Sequence, residues 1–178
     1  MTSLMLQEAM SAGDCVALQL SQDVEAYAQL GRTLREANFN SAVTVARGSS
    51  DHACGYVAYL IMSRMGRLVT SLPMSLVTLY KSPLVTQGTL AISISQSGQS
   101  PDVVEPITYF RDGGATTVAL VNDAESPLAQ AAAWAMPLHA GKEQSVAATK
   151  SFITSLVAGA RLVAEWQNDP ELKAGLAA

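Results

Sequence analysis

The chain is short of most features that would reveal a scaffold or a chemistry at first sight. It has two cysteines, Cys15 and Cys54, far apart and in no CxxC pair. That excludes a disulfide framework and points to reduced thiols packed as small hydrophobes. Charged residues make up only 15% of the sequence and the net charge is −4, which argues against a nucleic-acid partner held by the overall field. The first 38 residues also lack the basic recognition helix of a DNA-binding segment. No apolar run approaches the ~20 residues needed to span a bilayer. Glu8 stands where a signal peptide would carry basic residues. No membrane partner is expected, and the compartment implied is the cytoplasm. His, Cys and Asp nowhere cluster at ligand spacing, so no metal is expected. Both GxxxxGK[ST] and a GxGxxG after a strand are missing, so no nucleotide or other cofactor is expected.

What is present is apolar. Hydrophobic residues make up 49% of the 178 positions. That length fits one domain and buries roughly 70% of the surface of the unfolded chain, enough for a core without staples. So few charges fit a surface partly covered by another subunit or domain, and a large core accounts for them equally well. The partner expected is a second copy, in a homodimer or higher homo-oligomer.

Residues 3–12 read as a short helix. From about Cys15 to Asn38 the apolar positions Val16, Leu20, Val24, Tyr27, Leu30 and Leu34 recur at spacings of three and four, which predicts one amphipathic helix. Short strands are expected at 41–46, 67–71, 89–94, 116–121 and 134–138. Helices are expected at 52–65, 101–111 and from about 145 to 167, with shorter pieces at 73–81 and after Ser126-Pro127. Strands alternating with helices give an α/β fold with a parallel sheet. After Pro170 the run Glu171-Leu172-Lys173-Ala174 is helix-forming and reads as a helix without its partner.

One stretch concentrates the chemistry. The apolar run Leu90 to Ile94 breaks into Ser95-Gln96-Ser97-Gly98-Gln99-Ser100, and Pro101-Asp102 then opens a helix. A strand, a small-residue turn and a helix N-terminus aim backbone N–H groups and a positive dipole end at one point. Phosphate is the anion that such a device commonly holds. On this local pattern alone, a serine-rich turn binding only water stands level with a phosphate site. Arg47-Gly48-Ser49-Ser50-Asp51 repeats the device after the first strand, and the loop 143–149 leads into the last long helix. In open α/β sheets ligands bind beyond the carboxyl ends of strands, where these three segments converge. A phosphate device without nucleotide motifs favours a small phosphorylated metabolite.

Together, Arg47-Gly48-Ser49-Ser50-Asp51-His52, Ser95-Gln96-Ser97-Gly98-Gln99-Ser100-Pro101-Asp102 and Gly141-Lys142-Glu143-Gln144-Ser145-Val146-Ala147-Ala148-Thr149-Lys150-Ser151 resemble the three site loops of the sugar isomerase (SIS) domain family. They are most similar to the first of the two such domains in the isomerase part of glucosamine-6-phosphate synthases and in related deaminases. The resemblance implies a three-layer αβα sandwich with a five-stranded parallel sheet. It divides the chain into N-terminal helices (1–38), an SIS sugar-phosphate-binding domain (39–168) and a linker or the start of a second SIS domain (169–178). It places a phosphorylated sugar on Ser95, Gln96, Ser97 and Ser100, with Ser49, Ser50, Val146 and Ala148 lining it and His52 and Lys150 behind them. The synthases favour Ser at the position of Ala148, and Cys-Gly-Thr-Ser where this chain reads Arg47-Gly48-Ser49-Ser50, so the resemblance leans towards the deaminase or isomerase branch.

The function implied is binding of a hexose or amino-sugar phosphate, with aldose/ketose isomerisation and deamination supported as the first half of a two-domain enzyme. Alternatives are a single-domain isomerase working as an oligomer and a non-catalytic sugar-phosphate sensor. Moving a proton between C1 and C2 needs a base. The resembled enzymes take theirs from the second domain or a neighbouring subunit, and within this chain Glu143 is the candidate. Arg47 and Lys150 can add positive charge to a phosphate site, although surface or interface roles are commoner for both. His139 reads as an exposed loop histidine.

Overall fold

A computed structural model of the chain describes residues 3–37, 39 and 41–177. Its centre is a five-stranded sheet of β1 (Ser41–Val45), β2 (Val69–Ser71), β3 (Thr89–Ser95), β4 (Thr116–Val121) and β5 (Trp134–Pro137). The spatial order is β2-β1-β3-β4-β5 and every pairing is parallel. A parallel sheet is covered on both faces, which is why β3 and β4 carry near-continuous apolar runs. Alternate residues divide between two cores. Leu90, Ile92, Ile94, Val118 and Leu120 pack into one, and Val43, Val45, Ala91, Ala119 and Val121 into the other. The first core is closed by α3 (Val24–Glu36), α4 (Ser49–Met65) and α8 (Lys150–Gln167), the second by α5 (Ser75–Thr78), α6 (Pro101–Asp112) and α7 (Pro127–Ala131). This is the three-layer αβα sandwich expected from the sequence.

The order of strands decides where a ligand has room to sit. From β1 the chain crosses to β2 through α4 on one face, and from β3 to β4 through α6 on the other. Between β1 and β3 the crossovers therefore part, leaving a crevice above the carboxyl ends of those two strands. On the first face α4 and α8 cross where Gly159 meets Val57, whose Cγ2 would collide with any Cβ at Gly159. At their far ends Gln167 Nε2 of α8 donates to the Arg64 carbonyl of α4 at 2.8 Å, so the two helices run the same way and both N-termini rise at the same edge of the sheet as the crevice.

The N-terminal region departs from the expectation. The short helix expected at 3–12 is α1 (Leu4–Met10), but in place of one helix from Cys15 to Asn38 there are α2 (Ala12–Ser21) and α3, with a break at Gln22-Asp23. Asp23 takes φ 52° and its Oδ2 lies 2.6 Å from His139 Nε2. Both α2 and α3 pack on α8, so the apolar spacing runs on across a break that only a tertiary contact explains. Asn38, the expected helix end, lies outside the described residues. His139 is half-buried in this contact and is not an exposed loop residue. The long helix starts at Lys150, five residues later than predicted. At the C-terminal end, α9 (Pro170–Ala177) packs on α8 and sends Leu172 to the core. The helix expected to lack a partner has one.

Candidate functional site

The crevice between β1 and β3 holds a cavity of about 190 Å³ lined by Arg47 and Ser50 from one side and by Ser95, Gln96, Ser97 and Ser100 from the other. The turn after β3 is shaped by Gly98. Its φ is +63°, and a Cβ there would lie 2.6 Å from Ser126 Cβ and 3.0 Å from Val121 Cγ2, so both conformation and space require glycine. Its carbonyl accepts from Leu128 N–H at 3.1 Å, tying the turn to α7. Within the turn, Gly98 N–H donates to Ser95 Oγ at 2.9 Å and Gln99 N–H to Ser97 Oγ at 3.4 Å. A hydroxyl that accepts keeps its own proton to donate, so each of these serines retains a donor for an anion. Ser100 is the N-cap of α6 but its hydroxyl makes no capping bond. The hydroxyls thus stand with the positive end of α6, an arrangement that suits a phosphoryl group.

The third loop is held from outside itself. Asn122, just after β4, accepts from Ala140 N–H and donates to Gly141 O, both at 2.8 Å. Glu143 Oε1 accepts from Thr149 N–H and Thr149 Oγ1 at 2.9 Å, and more loosely from Ser151 N–H at 3.4 Å. Its Oε2 accepts from Ser151 Oγ. Glu143 is therefore an acidic cap on the first turn of α8. Burial by itself would raise its pKa, but hydrogen bonds from Ser151 and Thr149 outweigh that and hold it below the ordinary range. A second carboxylate holds the other end of the loop. Glu8, in α1 and 6% exposed, accepts from Gln144 N–H at 2.6 Å, Ser145 N–H at 3.1 Å and Ser145 Oγ. Between the two anchors Val146 stands fully exposed. Sequence reasoning missed Glu8 and Asn122. Glu8 is a lone acidic residue on a short helix, and Asn122 ends a strand like many others; no local signal marks either.

The structure gathers Ser50, Ser95, Gln96, Ser97 and Ser100 around one cavity, as their strand-end positions suggested. Ser49 is exposed at the start of α4 beside it, and His52 is exposed one turn further along that helix. Val146, Ala148 and Lys150 belong to the third loop and the start of α8 and do not line the cavity itself. Glu143, the candidate base, is engaged as a cap on α8. Cys54 is fully buried, and burial, aided by nearby Asp51, pushes its thiol up to about 12, so it is inert. Among the described residues no His, Cys, Asp and Glu group could hold a metal, and no helix is long and apolar enough to cross a membrane. A larger concavity, about 920 Å³, lies between the 81–87 segment and the outer side of α6. No strand ends in it, and the Tyr109 hydroxyl on its wall donates to the Leu84 carbonyl at 3.1 Å. The strand-end serines and Arg47 gather around the smaller one.

Comparison with known proteins bears on the same segments. A profile of the SIS domain matches residues 34–164. The glutamine–fructose-6-phosphate aminotransferase (isomerizing) of Streptomyces coelicolor is 34% identical over 125 residues, which cover 70% of this chain and 20% of that protein. A candidate phosphosugar isomerase of Silicibacter pomeroyi DSS-3 has a crystal structure that superposes with a TM-score of 0.95 at 40% identity. The match takes in 99% of this chain and 54% of that one. The NanR protein of Vibrio vulnificus, solved with ManNAc-6P, superposes with a TM-score of 0.77 at 20% identity over 98% of this chain and 66% of that one, a likeness of fold. The chain thus spans about half the length of the first solved relative and a fifth of the aminotransferase.

Proposed function

This chain belongs to the SIS domain family, and from that premise we propose that the β1/β3 crevice binds a hexose or amino-sugar phosphate. The phosphoryl group lies against the Ser95–Ser100 turn and the N-terminus of α6, and the sugar extends towards Ser49, Ser50 and the 146–148 tip. The observation that carries this reading is the convergence of Ser50, Ser95, Ser97 and Ser100 on one small cavity at the point where the sheet's crossovers diverge. Neighbours of the same fold include a protein solved with a sugar phosphate, ManNAc-6P.

The reaction proposed is aldose/ketose interconversion of such a phosphate; where the substrate is a 2-amino sugar, water adds at C2, supplies the ketone oxygen and displaces ammonia. This chain supplies the phosphate grip of a larger, two-domain or oligomeric enzyme. No carboxylate lines the cavity among the described residues. A general base works best with a pKa near the operating pH, whereas the hydrogen bonds of Glu143 move it the other way. The proton-transfer group is therefore assigned to a second domain or another subunit. Exposed Tyr56, Tyr59 and Met62 on α4 support self-association as part of this reading. The same engaged Glu143 favours a second reading, in which the chain alone binds the sugar phosphate without turning it over.

Titration calorimetry with fructose 6-phosphate tests the assignment. Ser97→Ala should weaken binding by about 1.5–3 kcal/mol, the value of a hydrogen bond to a charged group, or roughly ten- to hundredfold in Kd. An affinity equal to that of the parent chain would overturn it. Turnover by the isolated chain would retire the binding-only reading.

A further inference from the structure

Arg47 is the one cation lining the β1/β3 cavity among the described residues, and it already has a partner. Its Nη1 lies 2.5 Å from Asp102 Oδ2, in the first turn of α6. The pair closes across the crevice, from just beyond the end of β1 to the helix that follows β3. It is weakly committed: the side chains are 59% and 35% exposed, and an exposed pair of this kind shifts an equilibrium by a factor of about five at most. Asp102 also has a second source of stabilisation, since it stands at the positive end of α6 whether or not Arg47 is beside it. A phosphoryl dianion, by contrast, brings more charge than one carboxylate and three strong acceptor oxygens that match the guanidinium fork.

We propose that Arg47 and Asp102 form an exchangeable ion pair that gates the site. Asp102 occupies the guanidinium in the ligand-free protein, and Arg47 leaves it for the phosphoryl group when a sugar phosphate enters. The proposal rests on the reading that this crevice takes a phosphoryl group. It adds that the site selects a phosphorylated sugar over a neutral one through Arg47, and that Asp102 is an intramolecular competitor of the ligand. A pair that merely tied the two turns together would behave differently. Removing Asp102 would then loosen the crevice and weaken binding, whereas removing a competitor strengthens it.

Calorimetric titrations of fructose 6-phosphate, inorganic phosphate and fructose into the 178-residue chain separate the two. Arg47→Gln should raise Kd for both phosphates about ten- to hundredfold, with Arg47→Lys, which keeps the charge but not the fork, in between. Asp102→Asn should lower Kd about two- to fivefold, and that gain should vanish in the Arg47→Gln background. Thermal unfolding of each variant verifies that it is folded. Weaker or unchanged binding by Asp102→Asn overturns the gate. So does a gain that persists without Arg47, because that would report simple repulsion between Asp102 and the ligand. If Ser97→Ala loses affinity while the Arg47 and Asp102 series stays flat, the gate alone falls. If the parent chain binds neither phosphate, the proposed function falls with it.

Discussion

The two halves of the candidate site are built by opposite means. The Ser95–Ser100 turn takes its shape mainly from its own residues, with one tie to α7 through Leu128 N–H: Gly98 supplies the left-handed backbone, Ser95 and Ser97 satisfy nearby amides, and Pro101 starts the helix. The 143–149 loop takes its shape from elsewhere. Glu8 lies 136 residues before Gln144, and Asn122 lies on another strand end. A self-determined turn is legible in sequence because its causes are contiguous. A loop held by distant side chains is not, since nothing within it announces where its hydrogen bonds go.

The largest expected effect that would break this contrast is at Gly98. Gly98→Ala combines a strained φ with overlap against Ser126 and Val121, and should cost about 3–5 kcal/mol when the strain and overpacking contributions are added. At roughly 2–4 °C per kcal/mol for a chain of this size, a drop in melting temperature on the order of 10 °C is expected by differential scanning calorimetry. A shift of only a degree or two would mean that the turn is set by its surroundings after all.

Next comes Glu8→Ala, which leaves two amides and a hydroxyl without their acceptor and should cost about 1–3 kcal/mol. Hydrogen exchange should accelerate at Gln144 and Ser145 while the amides of Gly98 and Val103 keep their protection. Equal acceleration in both loops would erase the distinction between them.

The smallest effect concerns pH. The carboxyl of Glu143 is held below the usual range. Its contribution is therefore complete above the unfolded value of about 4.3 and disappears as pH falls through the lower folded value. Glu143→Gln should lower stability by about 1 kcal/mol near neutrality, the scale of a helix cap. The gap in melting temperature from the parent chain should hold constant from pH 7 to about 5 and close below about pH 4. A gap that widens in acid would reverse the assignment.

The same division runs through the rest of the chain. The strands β1, β3 and β4 and the start of α6 are readable because burial on both faces and a Ser-Pro start leave marks in the local sequence. The strand-end serines are readable for the same reason, and they do meet in one cavity. The break at Asp23 is not, because the apolar stripe continues through it and its cause is His139, 116 residues away. The late start of α8 has a similar origin. Residues 145–149 could propagate a helix, but Glu8 and Glu143 take up the amides and hydroxyls at the two ends of that segment. The capping role of Glu143 escapes sequence reasoning on the same ground: its place in the loop before the last long helix is visible in the sequence, but not that Thr149 and Ser151 turn their donor groups onto it.

The anchoring of the third loop by Glu8 also sets an order of events during synthesis. The carboxylate leaves the ribosome long before the amides it must grip, with all five strands made in between. The sheet and the serine turn can be in place while the tip of the third loop is still shapeless. The third loop then takes its shape late, once the first helix and the Gln144 and Ser145 amides find one another.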